Sequence, residues 1–200
     1  MNTRLRKTFG FYTGMVYDSR FLVNHYNLEL NLLTVSKDNI EQNIAYERMK
    51  YWIYNVIDDS ILISADSDKL SAFENTGSRL LVLPCQPVDQ IIGIMLYLKL
   101  NAIMENRIVV TSTEIWSTQG DSMSYLHNHE ENLGADLAQD GWWVDSRPTW
   151  QSQGQRVTRD KIVSLDRMAD WKDFDLGWGS PGQDIDKRVV FADFARDEDQ

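Results

Sequence analysis

The chain has 200 residues, of which 42% are hydrophobic and 25% are charged, so it is long enough for one domain with a hydrophobic core. Its net charge of −10 argues against a protein whose main role is to coat nucleic acid, because phosphate binding needs a high density of Lys and Arg. The single cysteine, Cys85, excludes an intrachain disulfide framework and any zinc site built from several cysteines. We therefore expect a protein of a reducing, cytoplasmic compartment.

Two strand-like segments open the chain. Residues 8–16 and 28–35 are rich in aromatic and β-branched side chains, and residues 17–19 and Asn24 between them are typical of turns. In the second segment, leucines alternate with polar residues, which is the pattern of a strand with one buried face. We therefore expect two strands separated by these turns.

A first helix is predicted to begin at Asp38. Its side chain can accept a backbone hydrogen bond as the N-cap, and Glu41 can reach back to it, as in a capping box. Apolar residues then recur at intervals of three and four over residues 40–57, which predicts one broad buried stripe. Arg48 and the other charged residues fall outside this stripe and are expected to face solvent, and Asp58 is expected to end the helix.

Two short aliphatic segments follow the first helix, at residues 60–65 and 79–83. Each is bounded by polar loops, and the loop between them contains the turn-forming residues Asn75, Thr76 and Gly77. Both segments are expected to be strands, and the second is expected to be buried on both faces.

The stretch from Pro87 to Asn106 is nearly all apolar and predicts a long buried helix. Pro87 suits the first turn because its missing N–H has no intrahelical partner there, and Asp89 complements the positive end of the helix dipole. The run is short for a membrane span, and Asp89 and Lys99 would be costly in hydrocarbon, so we expect no membrane insertion. Gly93 predicts close packing of the helix against a sheet.

A strand at residues 107–116 completes the order strand, helix, strand, strand, helix, strand. This is the order of the split βαβ, or ferredoxin-like, motif, preceded here by an extra N-terminal strand or hairpin. The sequence therefore predicts an α+β body over residues 1–126.

The composition changes beyond Gly120, where the chain becomes acidic and rich in tryptophan. Five of the seven tryptophans lie there, which a disordered tail would not carry. We expect residues 127–200, here called the C-terminal arm, to form an irregular extension that packs on the body or on a partner. Aromatic side chains are efficient interface anchors. The predicted partner-binding residues are Trp142, Trp143, Trp150, Trp171, Trp178, Phe191 and Phe194.

Two histidines at the start of the arm, His127 and His129, are candidate metal ligands. They lie two residues apart, so an extended backbone points both imidazoles to one face. With Glu130 they can form a mixed nitrogen and oxygen site for a divalent metal, which is the one cofactor that the sequence suggests. The alternative is a polar surface turn, because the pair lacks the third ligand at fixed spacing that makes metalloprotease motifs specific.

The first strand carries a mixture of cationic and aromatic residues: Arg4, Arg6, Lys7, Phe9, Phe11 and Tyr12. Single-stranded nucleic acid binds such mixtures by stacking and phosphate contacts, and Arg48, Lys50 and Tyr51 on the expected exposed side of the first helix can extend the patch. The alternative is a solvated basic terminus on a strand whose aromatic residues enter the core. The acidic net charge favours this alternative.

A resemblance covers residues 9–126, including the segments MVYDSRFLVNHYNLELNLLTVS and NTGSRLLVLPCQPVDQIIGIMLYLKLNAIMENRIVV. These segments resemble uncharacterised small proteins of marine T4-like tailed phages, which recur in ocean metagenomes. The resemblance implies a phage origin and a setting in the host cytoplasm. It carries no catalytic residue.

The sequence favours a non-enzymatic interaction or assembly protein that binds another protein, or a second copy of itself, through the C-terminal arm. One alternative is a metal-dependent hydrolase or nuclease centred on His127, His129 and Glu130. The other alternative is a single-stranded nucleic-acid binder that uses the N-terminal basic and aromatic segment.

Overall fold

A computed structural model describes residues 3–121, 123–128, 141–148 and 169–179. They form a mixed α+β structure around one six-stranded sheet, so the predicted fold class is confirmed. The strands are β1 (Arg4–Tyr17), β2 (Arg20–Thr34), β3 (Ser60–Ser64), β4 (Leu80–Leu83), β5 (Ile108–Ser117) and β6 (Ser124–Asn128), and the helices are α1 (Asn39–Trp52), α2 (Leu70–Glu74) and α3 (Asp89–Met104).

β1 and β2 form a long antiparallel hairpin. The predicted turn is present at its tip, where Asp18 and Ser19 both have positive φ, as a tight two-residue hairpin connection requires. The prediction of a second turn at Asn24 is wrong, because Asn24 lies within β2 and is buried. Its Oδ1 accepts hydrogen bonds from the Thr118 hydroxyl at 2.9 Å and the Gln119 N–H at 3.1 Å, so tertiary contacts satisfy its polar side chain.

α1 begins at the predicted cap. Asp38 Oδ1 accepts a hydrogen bond from the Ile40 N–H at 2.8 Å. The predicted capping box with Glu41 is wrong, because the Asp38 N–H donates to Ser36 Oγ at 3.1 Å and Glu41 accepts from the Ser36 hydroxyl at 2.7 Å. The helix continues into a π-helical turn, Ile53–Ile57, which ends at Asp58 as predicted.

α3 is the predicted long buried helix. It begins at Asp89 with Val88 as its N-cap, so the prediction that Pro87 lies in the first turn is wrong, because the helix begins two residues later; nine of its residues are buried. A Cβ at Gly93 would lie 2.8 Å from Ile115 Cγ2, so this glycine does allow the helix to approach β5 closely. No helix in the described part of the chain is long and apolar enough to cross a membrane.

The strand order is β4-β3-β1-β2-β5-β6, and it differs from the predicted ferredoxin-like order. β1 lies between β2 and β3, antiparallel to the first and parallel to the second. The two strands that α1 connects therefore run in opposite directions, whereas a split βαβ unit joins parallel strands. The prediction is wrong because β1, expected to be an extra strand that precedes the motif, lies between β2 and β3 in the centre of the sheet.

Two segments of the C-terminal arm pack against α1 and α3. We call residues 141–148 the first arm segment and residues 169–179 the second arm segment. Trp142, Trp143 and Trp171 are buried in the same hydrophobic core as the two helices. The described segments therefore complete the layer that covers this face of the sheet, which we call the inner face.

Candidate functional site

Two cations lie buried beneath the arm segments, Arg48 on α1 and Lys99 on α3. Arg48 is 2% exposed and Lys99 is 0% exposed. The prediction that Arg48 faces solvent is therefore wrong. A buried cation is costly unless its donors are paired with acceptors. The acceptors of Arg48 and Lys99 therefore indicate what the surface of α1 and α3 beneath the arm segments binds.

Arg48 is paired with groups from both the body and the second arm segment. Its Nη1 donates to the Ile103 carbonyl and to Glu105 Oε1, each at 3.0 Å. Its Nε donates to the Leu176 carbonyl at 2.8 Å. The guanidinium therefore joins α1, the end of α3 and the second arm segment at one point, which we call the Arg48 anchor.

Two indole rings of the second arm segment contact the same guanidinium. The Arg48 Cζ lies 3.7 Å from the centroid of Trp178 and 4.8 Å from that of Trp171. Trp178 Nε1 also donates to Glu105 Oε2 at 2.9 Å. Glu105 thus accepts from Arg48 and from the arm, so the carboxylate couples the two.

A short turn positions Trp171. The residues Trp171–Phe174 form a 3₁₀ helix, and Asp170 and Asp173 close a capping box at its start. Trp171 Nε1 donates to the Ser146 carbonyl at 2.6 Å. This bond ties the second arm segment to the first.

Lys99 holds the first arm segment through backbone carbonyls, and we call this contact the Lys99 anchor. Its Nζ donates to the Asp145 carbonyl at 2.6 Å and to the Arg147 carbonyl at 2.9 Å, and it lies 5.5 Å from the ring of Trp52. The Asp145 carboxylate instead accepts from the guanidinium of Arg147. The ammonium of Lys99 is thus bonded to dipoles rather than to a carboxylate.

Trp142 covers Trp52 beside the Lys99 anchor. The two rings stack with centroids 5.2 Å apart, and Trp142 Nε1 donates to the Val82 carbonyl at 2.9 Å. Trp143 packs edge-on against Trp142. The first arm segment therefore closes the core above α1 as well as pairing Lys99.

The two anchors differ in their electrostatics. Burial lowers the pKa of Arg48 to about 10, and Glu105 opposes this shift by favouring the charged form. Burial lowers the pKa of Lys99 to about 7, with Asp145 opposing the shift and Arg147 adding to it. At neutral pH Arg48 therefore stays charged, whereas Lys99 is close to its midpoint.

A second group of polar residues is buried where α3 begins, at the inner-face ends of β1, β2 and β5. This polar cluster consists of Thr13, Asn24, Tyr26, Asp89 and Ser117. Thr13 Oγ1, Asp89 Oδ2 and Ser117 Oγ make no hydrogen bond of good geometry among the described residues, although the Ser117 hydroxyl interacts with the Asp89 carboxylate and the Thr13 hydroxyl with Tyr26. Buried polar atoms usually have well-aligned hydrogen-bond partners, so this group of three weakly partnered atoms is a candidate ligand site.

Gly120 closes this polar cluster. A Cβ at that position would collide with Asp89 Oδ2 and lie 3.1 Å from Ser117 Oγ, so the carboxylate and the hydroxyl face the same small space. Burial raises the pKa of Asp89, and Ser117 partly opposes the shift. Burial also raises the pKa of Tyr26.

The predicted metal ligands are only partly within the described residues. His127 lies on the inner face of β6, 6% exposed, where its ring packs edge-on against Tyr97 at 4.8 Å. His129 and Glu130 lie outside the described residues. Within the ranges that the structure describes, no group of three metal-binding side chains is present. A metal site that includes His129 and Glu130 stays a prediction.

The predicted partner-binding aromatics contact the protein's own body where they are described. Trp142, Trp143 and Trp171 are buried, and Trp178 is half-buried at the Arg48 anchor. The other three, Trp150, Phe191 and Phe194, lie outside the described residues. Contact of these aromatics with a separate partner stays a prediction.

The N-terminal basic and aromatic residues divide between the two faces of the sheet. Phe9 and Phe11 enter the core, whereas Arg4, Arg6 and Tyr12 are exposed. The ammonium of Lys7 lies over the ring of Phe9. The exposed part of this segment thus has one aromatic ring for stacking, and nucleic-acid binding there stays a prediction.

Comparison with known proteins identifies no family. No family model and no curated protein matches the chain. Solved structures that align include an uncharacterised protein of Wolinella succinogenes, at 14% identity and a TM-score of 0.47 over 64% of this chain and 99% of that one. They also include 6-pyruvoyl tetrahydropterin synthases of Plasmodium vivax, at 13% identity and a TM-score of 0.43 over 64% of this chain and 99% of that one, and of Plasmodium falciparum, at 14% and 0.43 over 63% and 96%. Likeness at this level carries no argument about function.

Proposed function

We propose that the protein is a non-enzymatic interaction or assembly protein that acts through its C-terminal arm. The observation that supports this is the way the arm docks: two buried cations of the body donate to the arm carbonyls of Leu176, Asp145 and Arg147. A surface that pairs with main-chain carbonyls and receives indole rings can bind an extended chain supplied by the same molecule or by another.

The partner in this proposal is another protein or a second copy of the chain. The arm continues beyond the second arm segment with residues 180–200, which contain Phe191 and Phe194 in the acidic sequence VVFADFARDEDQ. Hydrophobic residues among acidic ones are typical of docking peptides. The resemblance to tailed-phage proteins makes the cytoplasm of an infected host the setting of the proposal.

The test compares the full chain with a chain that ends at Gly179. Both are measured by size-exclusion chromatography with light scattering, and both are unfolded thermally to show that the body is intact. Removal of the whole arm is a poorer test, because it takes Trp142, Trp143 and Trp171 out of the core. We expect the full chain to assemble and the shortened chain to be a folded monomer.

A double variant, Phe191→Ala with Phe194→Ala, is the matched control for that truncation. It keeps the chain length and charge and removes only the two aromatic anchors, so it should also lose assembly. A full chain that stays monomeric at high concentration and binds no protein would contradict the proposal.

The polar cluster supports a second candidate function, the binding of a small ligand that donates hydrogen bonds to Asp89. The observation that favours it is that three buried oxygens make no hydrogen bond of good geometry among the described residues. Native mass spectrometry of the purified chain tests for a bound small molecule, with Gly120→Ala as a variant that fills the space. If the wild-type protein and Gly120→Ala each have the mass of their own bare chain, a co-purifying ligand is excluded.

A further inference from the structure

We propose that Lys99 makes the docking of the first arm segment depend on pH, so that acidification releases residues 141–148 while the second arm segment stays bound. This inference rests on the proposed function, because it names the regulation of the arm through which that function acts. It concerns one contact, the Lys99 anchor, and the Arg48 anchor serves as its internal reference.

The geometry of the Lys99 anchor carries the inference. The ammonium is fully buried, and its acceptors are the carbonyls of Asp145 and Arg147. None of the ion pairs among the described residues includes Lys99. A neutral amine keeps two donors for these same two carbonyls without the cost of a buried charge. Docking therefore favours the neutral form.

Charged and titratable groups near Lys99 lie on the arm, on α1 and on β6. The arm presents the Asp145 carboxylate and the Arg147 guanidinium, which pair with each other. α1 presents the uncharged Trp52, with Arg48 one turn earlier. β6 presents His127, which packs on Tyr97 of the same helix as Lys99. The helix-facing side chains of β5 are uncharged: Ile108, Val110, Thr113, Ile115 and Ser117.

The direction of the pH effect follows from proton binding. Release of the arm exposes Lys99 and restores its ordinary pKa of 10.5, whereas the docked pKa is about 7. The released state therefore binds more protons between these two values, and docking weakens as the pH falls through that range. From pH 8.5 to pH 6.0 the docking constant is expected to fall by about 30-fold.

Exchange of indole N–H groups with solvent measures the two anchors separately in the full chain. Trp142 Nε1 is bonded to Val82 of the body and reports on the first arm segment, and Trp178 Nε1 is bonded to Glu105 and reports on the second. After correction for the intrinsic exchange of free indole, we expect protection of Trp142 to fall about 30-fold from pH 8.5 to 6.0. Protection of Trp178 should change less than threefold.

Two substitutions assign the effect to Lys99 rather than to His127, which both variants keep. Lys99→Met removes the titrating group, so Trp142 should have the same protection at both pH values. Lys99→Arg stays charged, so protection should be low and again equal at both. No fall in the wild-type protein, or an equal fall in either variant, would overturn the proposal.

The result is separable from that of the assembly test. If the chain is monomeric but protection of Trp142 is lower at pH 6.0 than at pH 8.5, the result contradicts the assembly function and supports the Lys99 switch. A chain that assembles but whose Trp142 protection is the same at both pH values contradicts the switch alone.

Discussion

The Arg48 anchor and the Lys99 anchor hold neighbouring segments of one arm, but they stabilise a buried cation in different ways. Arg48 has a carboxylate, Glu105, at 3.0 Å and two indole rings against its guanidinium. Lys99 has two backbone carbonyls and one more distant ring. Arg48 keeps its charge at neutral pH, because a guanidinium has a high intrinsic pKa and Glu105 favours the charged form, whereas burial lowers the pKa of Lys99, whose acceptors are carbonyls, to about 7.

The largest expected effect distinguishes a buried ion pair from an exposed one. Arg48→Met should lower the free energy of unfolding by about 3 kcal/mol, because it leaves the Ile103 and Leu176 carbonyls without their donor and removes the buried partner of Glu105, which keeps Trp178 and Arg107. Arg6→Met is the matched control, since Arg6 pairs with Glu29 on the exposed face, and it should cost less than about 1 kcal/mol. Urea denaturation measures both, and similar losses would show that the Arg48 anchor adds no stability.

The second-largest expected effect is a difference between the two anchors in how stability depends on pH. Lys99 has a lowered pKa when folded, so the unfolded state binds more protons between pH 7 and 10.5, and stability rises with pH there. From pH 6.0 to 8.5 the wild-type protein should gain about 2 kcal/mol relative to Lys99→Met. Arg48 stays charged over this interval, so Arg48→Met should keep the wild-type slope. Equal slopes in the wild-type protein and Lys99→Met would contradict this account.

At fixed pH, replacement of Lys99 and replacement of Arg48 should change the free energy of unfolding by different amounts. Lys99→Met at pH 6.0 should change the free energy of unfolding by less than about 1 kcal/mol, because loss of two hydrogen bonds is offset by removal of a buried charge. Chemical denaturation of Lys99→Met beside Arg48→Met gives the comparison. If Lys99→Met loses as much stability as Arg48→Met, the two carbonyls compensate fully for the burial of the ammonium, contrary to this prediction.

The smallest effect concerns the indole hydrogen bonds of the two segments. Trp142→Phe keeps a ring against Trp52 but leaves the Val82 carbonyl unpaired, and should cost about 1 kcal/mol. Trp178→Phe removes the neutral partner of a half-exposed carboxylate and should cost less. Thermal unfolding of the two variants checks this order, and a larger loss at Trp178 would reverse the ranking.

Local signals predicted most of the elements, because they depend on residues close in sequence. The Asp38 cap, the boundaries of α3 and the close approach at Gly93 are of this kind. Local signals could not predict the strand order, because the position of β1 between β2 and β3 depends on pairing between segments that are distant in sequence. β6 could not be predicted from the sequence, because its five residues are too few and too mixed in polarity to show the alternation of a strand.

The anchors were hidden from the sequence for a related reason. Arg48 is charged and was therefore assigned to the exposed side of α1, yet its Leu176 partner lies 128 residues away. Trp52, one turn later on the same helix face, was the available signal. The signal for Lys99 was clearer, because it is the single cation in a helix that is otherwise mostly apolar. The polar cluster had no signal, because Asp89 also suits a helix N-terminus.

The most direct test of the central claim is a pair of distances from the body to the two arm segments. In a Cys85→Ser background, nitroxide labels at Ile40 and Val144 report on the first arm segment, and labels at Ile40 and Lys172 report on the second, by double electron–electron resonance. We predict narrow distributions for both pairs at pH 8.5, with only the Val144 distribution broadening at pH 6.0. Broad Val144 distributions at both pH values, or identical responses of the two pairs, would contradict docking by two unlike anchors.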